Sequence, residues 1–166
     1  MKTAFDLRTY IDSPIGSISL QFNSKLELTS AQFHNKEKVS ADKNSVGIRE
    51  IETAKKQFEE YFKGNRTQFT IKLAPEGTEF QKKVWKQLRE IQYGKTMTYQ
   101  QMAHQLGNPK VIRAAASANG KNPISIIIPC HRVIGSDGSL TGYAGGLHRK
   151  KWLLEHENPV KQQSLF

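Results

Sequence analysis

At Ala74-Pro75-Glu76-Gly77 the hydrophobic rhythm of the chain changes. A chain that switches from strand-like alternation to helical spacing at a Pro/Gly stop is expected to fold as two differently built parts. Before the stop, Phe5, Leu7 and Thr9 alternate, as do Ile18, Leu20 and Phe22, and Ser13-Pro14-Ile15-Gly16 supplies the turn of an antiparallel hairpin. A third strand is predicted around Lys25 to Phe33, then a polar loop from His34 to Ser45. Ile48, Ile51, Ala54, Phe58, Tyr61 and Phe62 recur at helical spacing, and Gly64-Asn65 ends that helix. Phe69, Ile71 and Leu73 read as one more strand.

After the stop the pattern is helical. Thr78 caps a helix burying Phe80, Val84, Leu88 and Ile91; Thr98 caps a second with Tyr99, Met102, Ala103 and Leu106. Gly107-Asn108-Pro109 turns into a third helix, Lys110 to Ala118, and a last one runs from Arg149 to Glu157. The fold class is therefore α+β, with a small antiparallel sheet-and-helix domain over 1–76 and a helical domain over 77–166. Two short helices joined by a Gly-containing turn suggest a helix-turn-helix, although helical hairpins also occur without DNA.

Charge divides at the same place. Residues 1–76 hold 12 basic and 10 acidic side chains, whereas 77–166 hold 13 and 5, so most of the +10 net charge lies in the C-terminal part. Such an excess fits a polyanionic partner or a basic surface serving solubility, and composition leaves both open. No apolar run is long enough to span a bilayer, and Met1 to Asp6 lacks the apolar core of a signal peptide, so a cytoplasmic protein without membrane contact is expected.

The chain has one cysteine, which excludes an intramolecular disulfide and a zinc site built from paired cysteines. Alone after an apolar stretch, Cys130 reads as a small buried hydrophobe. His131 and Arg132 beside it give the second reading, a stabilised thiolate. Adjacent residues of an extended segment point to opposite faces, so a turn or a bridging water is required to bring the imidazole to the sulfur.

The run Ile128-Pro129-Cys130-His131-Arg132-Val133-Ile134 resembles the active-site signature of the O6-alkylguanine-DNA alkyltransferases. The resemblance continues upstream in Thr98-Tyr99-Gln100-Gln101-Met102-Ala103, Arg113-Ala114-Ala115 and Asn122-Pro123. Downstream it includes Gly142-Tyr143-Ala144-Gly145-Gly146-Leu147 and Lys151-Trp152-Leu153-Leu154-Glu155-His156-Glu157, so that it covers residues 78 to 157. It implies a winged helix-turn-helix-like C-terminal domain and, from strand pattern and position alone, a ribonuclease H-like N-terminal one.

By that resemblance, the alkyl group of O6-alkylguanine in double-stranded DNA passes irreversibly to Cys130, once per chain; action on O4-alkylthymine is left open by the sequence. His131 takes the thiol proton through a water, Glu157 holds the imidazole, and Tyr99 gives its phenol proton to the departing base. The carbonyls of Cys130 and Val133 recognise the exocyclic amine, backbone at Ala144 faces O6, and Tyr143 adjoins the same pocket. Asn122 braces the turn, and Arg113 fills the place of the flipped nucleotide. No cofactor or metal is implied, and a monomer is expected. Ala144 stands where many relatives have serine, and Ala116, Ser117 and Asn119 also depart from some members.

Each role has a plainer competitor. Tyr99 fits a helix core, Arg113 a phosphate contact, Glu157 a solvated helix end and the alanine run ordinary packing. His34, His104, His148 and His156 show no partner pattern and are assigned to the surface, and Arg149-Lys150-Lys151 reads as a solvated basic face. A DNA-binding module with an inert cysteine and a Cys/His hydrolase are the competing functions; only the alkyltransferase accounts for the charge, the helices and the cysteine together.

Overall fold

The computed structural model describes residues 7–34 and 47–158. Phe5 and residues 35–45 of the expected loop lie outside the described residues. The chain separates into two compact units, one of Met1–Glu76 with Pro123–Ser125, the other of Gly77–Asn122 and Ile126–Phe166.

In the first unit, strands β1 (Leu7–Ser13), β2 (Gly16–Phe22) and β3 (Leu28–His34) form an antiparallel sheet in that order. Alternation makes Ile18, Leu20 and Phe22 of the central strand fully buried. The first turn is closed by Ser13, whose Oγ donates to the Gly16 carbonyl at 2.6 Å and accepts from the Ile15 amide at 3.2 Å. In the second, Asn23 Oδ1 accepts from the amides of Lys25 and Glu27, so β3 starts at Leu28, three residues later than its pattern suggests. Helix α1 (Arg49–Phe62) buries Ile51, Ala54, Phe58 and Tyr61 at the expected spacing, and Gly64 follows it at φ +81°.

The strand expected over Phe69, Ile71 and Leu73 is not formed; only a bridge from Leu73 to Leu28 is present. Gln57 of α1 supplies the reason. Its Oε1 accepts the Thr70 amide at 3.0 Å and its Nε2 donates to Thr70 Oγ1 at 2.6 Å, so a side chain takes the place of a ladder partner. Phe69 instead packs on the rings of Phe58 and Tyr61. The free side of β3 is covered in part by Pro123–Ser125, through hydrogen bonds from Ala31 to Pro123 and from Ser125 to Ala31.

The second unit begins with helix α2 (Glu79–Leu88), whose capping box pairs Thr78 with Gln81 in both directions. Gly77 is required before it, because a Cβ there would collide with the Trp85 ring. A two-residue strand β4 (Met97–Thr98) leads into helix α3 (Tyr99–Gln105), again with a capping box, between Thr98 and Gln101. A 3-10 turn, Pro109–Val111, is capped by Asn108 and runs into helix α4 (Ile112–Gly120), so the third helix ends two residues later than expected. Of its alanines, Ala115 and Ala118 are buried, while Arg113, Ala114 and Ser117 face outward. Trp85 ties α2 to α4 by donating from Nε1 to the Ala118 carbonyl at 2.8 Å. Strand β5 (Val133–Ile134) pairs in parallel with β4, and helix α5 (Leu147–Glu157) closes the unit. Among the described residues no helix is long and apolar enough to cross a membrane.

Candidate active site

The segment before the cysteine is not extended where it matters. Pro129 has φ −84° and ψ 65°, the inverse γ-turn conformation, and the Cys130 amide donates to the Ile128 carbonyl at 2.8 Å. A 3-10 turn over Cys130–Arg132 follows at once, with the Arg132 amide on the Pro129 carbonyl at 3.0 Å. This supplies the turn needed to bring neighbouring side chains into one site. Asn122 fixes its entrance, donating from Nδ2 to the Ile128 carbonyl at 2.7 Å. The Cys130 carbonyl is doubly engaged, by the Val133 amide and, at 3.5 Å, by Asn119 Nδ2.

Cys130 is 4% exposed, and burial pushes its thiol pKa up. A hydrogen bond from the Asn122 side chain and the positive charge of Lys150 act the other way. His131 is fully buried, with Nε2 2.8 Å from Glu157 Oε2. The other carboxylate oxygen accepts from Arg132 Nε, also at 2.8 Å, and Arg132 Nη1 is anchored on the Ile91 carbonyl at 2.6 Å. Burial pushes Glu157 up, but His131 and Arg132 outweigh it and hold the carboxyl well below its usual range. Burial lowers His131, and Arg132 and Lys150 add to that against the pull of Glu157; the net effect favours the neutral ring. An ionised Glu157 is then matched by a proton on Nε2, which leaves Nδ1 as the basic nitrogen. Among the described residues, Nδ1 is buried and has no hydrogen-bond partner.

Tyr99 opens α3, with its hydroxyl 3.3 Å from the Thr141 carbonyl. Burial raises its pKa and the charge of Cys130 adds to that, while the hydrogen bond it donates to Thr141 and the Asn119 side chain act the other way. Val133 is buried in β5, whereas Tyr143 is half-buried and Ala144 exposed in the loop before α5. Arg113 stands on the outward side of α4, away from the face that carries Asn119. The structure thus gathers Cys130, His131, Glu157, Asn122 and Tyr99, and leaves Arg113 outside the cluster.

The basic run before Trp152 is not a solvated face. Lys150 is 0% exposed and Arg149 is also buried; only Lys151 is exposed. Lys150 Nζ donates to the carbonyls of Thr141 at 2.7 Å and Gly142 at 3.3 Å, and lies 5.7 Å from the centre of the Tyr99 ring. Burial brings its pKa down to about 8, against the charge of Cys130. Arg149 Nη1 donates to the Gly145 carbonyl at 3.0 Å, so two cations hold the loop bearing Tyr143 and Ala144. Helical spacing carried a signal for them, since positions 149, 150, 153 and 157 share one face of α5. Placing Glu157 in a site turns both cations toward it. Two histidines also have partners: His34 bonds Ser19 Oγ at 2.6 Å, and His156 stacks on Trp152 at 4.7 Å. Among the described residues no group of three or more His, Cys, Asp or Glu is placed to hold a metal ion.

Comparison with known proteins matches both units. Residues 7–75 match the 6-O-methylguanine DNA methyltransferase ribonuclease-like domain, and residues 79–159 match the DNA binding domain of the same family. A Methanosarcina barkeri protein named methylated-DNA–protein-cysteine methyltransferase is 51% identical over 151 residues, covering 89% of this chain and 94% of its own. A Mycobacterium tuberculosis protein of the same name is 43% identical over 147 residues, covering 89% of each. Among solved structures, M. tuberculosis O6-methylguanine methyltransferase superposes with a TM-score of 0.82 at 38% identity, covering 98% of this chain and 100% of that one. M. tuberculosis OGT in complex with DNA gives a TM-score of 0.78 at 40% identity, over 95% and 98% of the two chains.

Proposed function

The chain belongs to the 6-O-methylguanine DNA methyltransferase family, and from that membership and the site geometry we infer that it repairs DNA by direct reversal, taking the alkyl group of O6-alkylguanine onto Cys130. The single observation that carries this reading is the buried Cys130 beside an imidazole pinned by Glu157, with its basic Nδ1 unpartnered among the described residues.

The thiol proton passes, through a water, to Nδ1 of His131, and the resulting imidazolium is stabilised by the Glu157 carboxylate. Sulfur displaces the guanine: the S–C bond forms as the O6–C bond breaks, and the electron pair stays on the base. Tyr99 then supplies a proton to the purine ring. The product thioether has no leaving group that water displaces readily, so the transfer happens once per chain. The target atom lies within a stacked duplex, so the nucleotide must first be flipped out. Residues 77–166 form the DNA-binding domain in this reading. Helices α3 and α4 act as a helix-turn-helix pair, the exposed Arg113, Ala114 and Ser117 meet the minor groove, and Arg113 enters the vacated stack. The carbonyls of Cys130 and Val133 meet the exocyclic amine, backbone at Ala144 faces O6, Tyr143 adjoins the same pocket, and Asn122 braces the turn.

One chain carries every group the chemistry needs, so a monomer suffices. A reduced thiol suits the cytoplasm. The test is incubation with duplex DNA containing O6-methylguanine, followed by digestion and mass spectrometry. The peptide bearing Cys130 should gain one methyl group per chain, and Cys130→Ala should bind the DNA yet gain none. Methylation elsewhere, or none with excess DNA, would overturn the reading.

A further inference from the structure

Asn119 is buried to 3% exposure at the last turn of α4, and among the described residues its Oδ1 accepts no hydrogen bond. Its Nδ2 makes only a long contact, 3.5 Å, to the Cys130 carbonyl, which already accepts the Val133 amide. The same side chain is close enough to the Tyr99 phenol to pull its pKa down, and the hydroxyl's own hydrogen-bond partner, the Thr141 carbonyl at 3.3 Å, can only accept. A phenolate at Tyr99 would find no donor in that carbonyl. A buried amide with one weak bond and one idle acceptor beside two reacting groups is a costly arrangement unless it is used.

We propose that Asn119 is a positioning residue for leaving-group protonation, its amide moving from the Cys130 carbonyl to the Tyr99 oxygen as the alkylated base reacts. The proposal rests on the alkyl-transfer reading above. When the exocyclic amine of the extruded guanine donates to the Cys130 carbonyl, it replaces Asn119 Nδ2 there. The Tyr99 O–H proton goes to the purine ring as the O6–C bond breaks, and the freed Nδ2–H donates to the phenolate that remains. Charge balances against the proton held on His131, which returns to Tyr99 through solvent. A donor aimed at the phenolate also lowers the Tyr99 pKa, the direction seen for this pair.

Two alkyl donors separate this role from any effect on the nucleophile. Transfer from O6-methylguanine expels a base that needs a proton, whereas iodoacetamide expels iodide, which does not. Asn119→Leu should slow single-turnover transfer from O6-methylguanine by roughly ten- to a hundredfold, the worth of a hydrogen bond to a charged group, and leave iodoacetamide labelling of Cys130 at the parent rate. Asn119→Ala, which also removes the donor and brings no charge to the thiol, should behave alike and serves if the leucine variant does not fold. In a Tyr99→Phe background either substitution should cost nothing further. Equal slowing with both donors, unchanged rates with both, or additive losses in Tyr99→Phe would each overturn the proposal. A parent protein that labels with iodoacetamide but takes nothing from O6-methylguanine would instead overturn the alkyl-transfer reading itself.

Discussion

Glu157 Oε2 lies 2.8 Å from His131 Nε2, and its second oxygen, equally close to Arg132 Nε, keeps the carboxylate from turning away. One acid therefore serves two donors, and the imidazole has a single tautomer available.

Glu157→Gln tests that constraint. A carboxamide has one accepting oxygen for two N–H groups, so when it serves Arg132 its NH2 faces His131 and favours the tautomer with the proton on Nδ1. Single-turnover transfer should fall on the order of a hundredfold or more, the usual worth of a general base. Glu157→Ala should in addition lower stability by about 3–5 kcal/mol, because it strands a buried arginine. Urea unfolding of both variants separates the two effects.

Acid should destabilise the fold in two steps. The folded pKa of His131 lies below its unfolded value, so the unfolded chain binds more protons and stability falls as pH drops below about 6.5. Glu157 is also depressed, and its contribution, present above about 4.3, is lost as pH falls further. Urea midpoints measured downward from neutrality should decline through both windows, and the second step should be absent in Glu157→Gln.

Lys150→Met should separate activity from stability. Methionine fills the site without a buried charge, so unfolding free energy should change by less than about 1.5 kcal/mol or rise. Losing the cation removes one influence that lowers the Cys130 pKa and unties the Thr141 and Gly142 carbonyls. The pH at which iodoacetamide labelling is half-maximal should move up, and transfer from O6-methylguanine should slow.

Arg113→Ala distinguishes entry into the stack from a phosphate contact. The side chain lies outside the thiol cluster, so reaction with free O6-methylguanine base should be near normal. Saturated duplex should react more slowly, by a few kcal/mol of barrier, the scale of unstacking a base. Parent-like rates on saturated duplex, with a salt slope lower by about one, would make Arg113 a phosphate anchor.

Much of the fold was legible because its determinants are local. Thr78 with Gln81 and Thr98 with Gln101 are capping boxes readable three residues apart, and both helices start where these place them. The strand expected at Phe69 to Leu73 failed because Gln57, thirteen positions away, satisfies Thr70, and alternation holds no record of that partner. In the site, Cys130 and His131 were marked by a lone cysteine next to an imidazole, Glu157, Tyr99 and Asn122 were found through resemblance, and the turn joining the first two was expected as a requirement. Lys150 was misread because a lysine in a basic run was taken to be solvated. Its burial depends on carbonyls eight and nine residues upstream, on a glycine-containing loop whose course alternation does not record. Asn119 gave no signal beyond being a departure from some relatives; only its unfilled acceptor in the folded state marks it.

The bond from Trp85 Nε1 to the Ala118 carbonyl gives the molecule an optical gauge. Ala118 immediately precedes Asn119, so the emission colour of this sheltered indole should register small displacements at that end of α4. The second tryptophan, Trp152, is stacked on His156 in α5 and reports on a different part of the unit. With only two indoles in the chain, stopped-flow fluorescence can time DNA engagement on unlabelled protein, and replacing Trp152 by phenylalanine would isolate the colour channel.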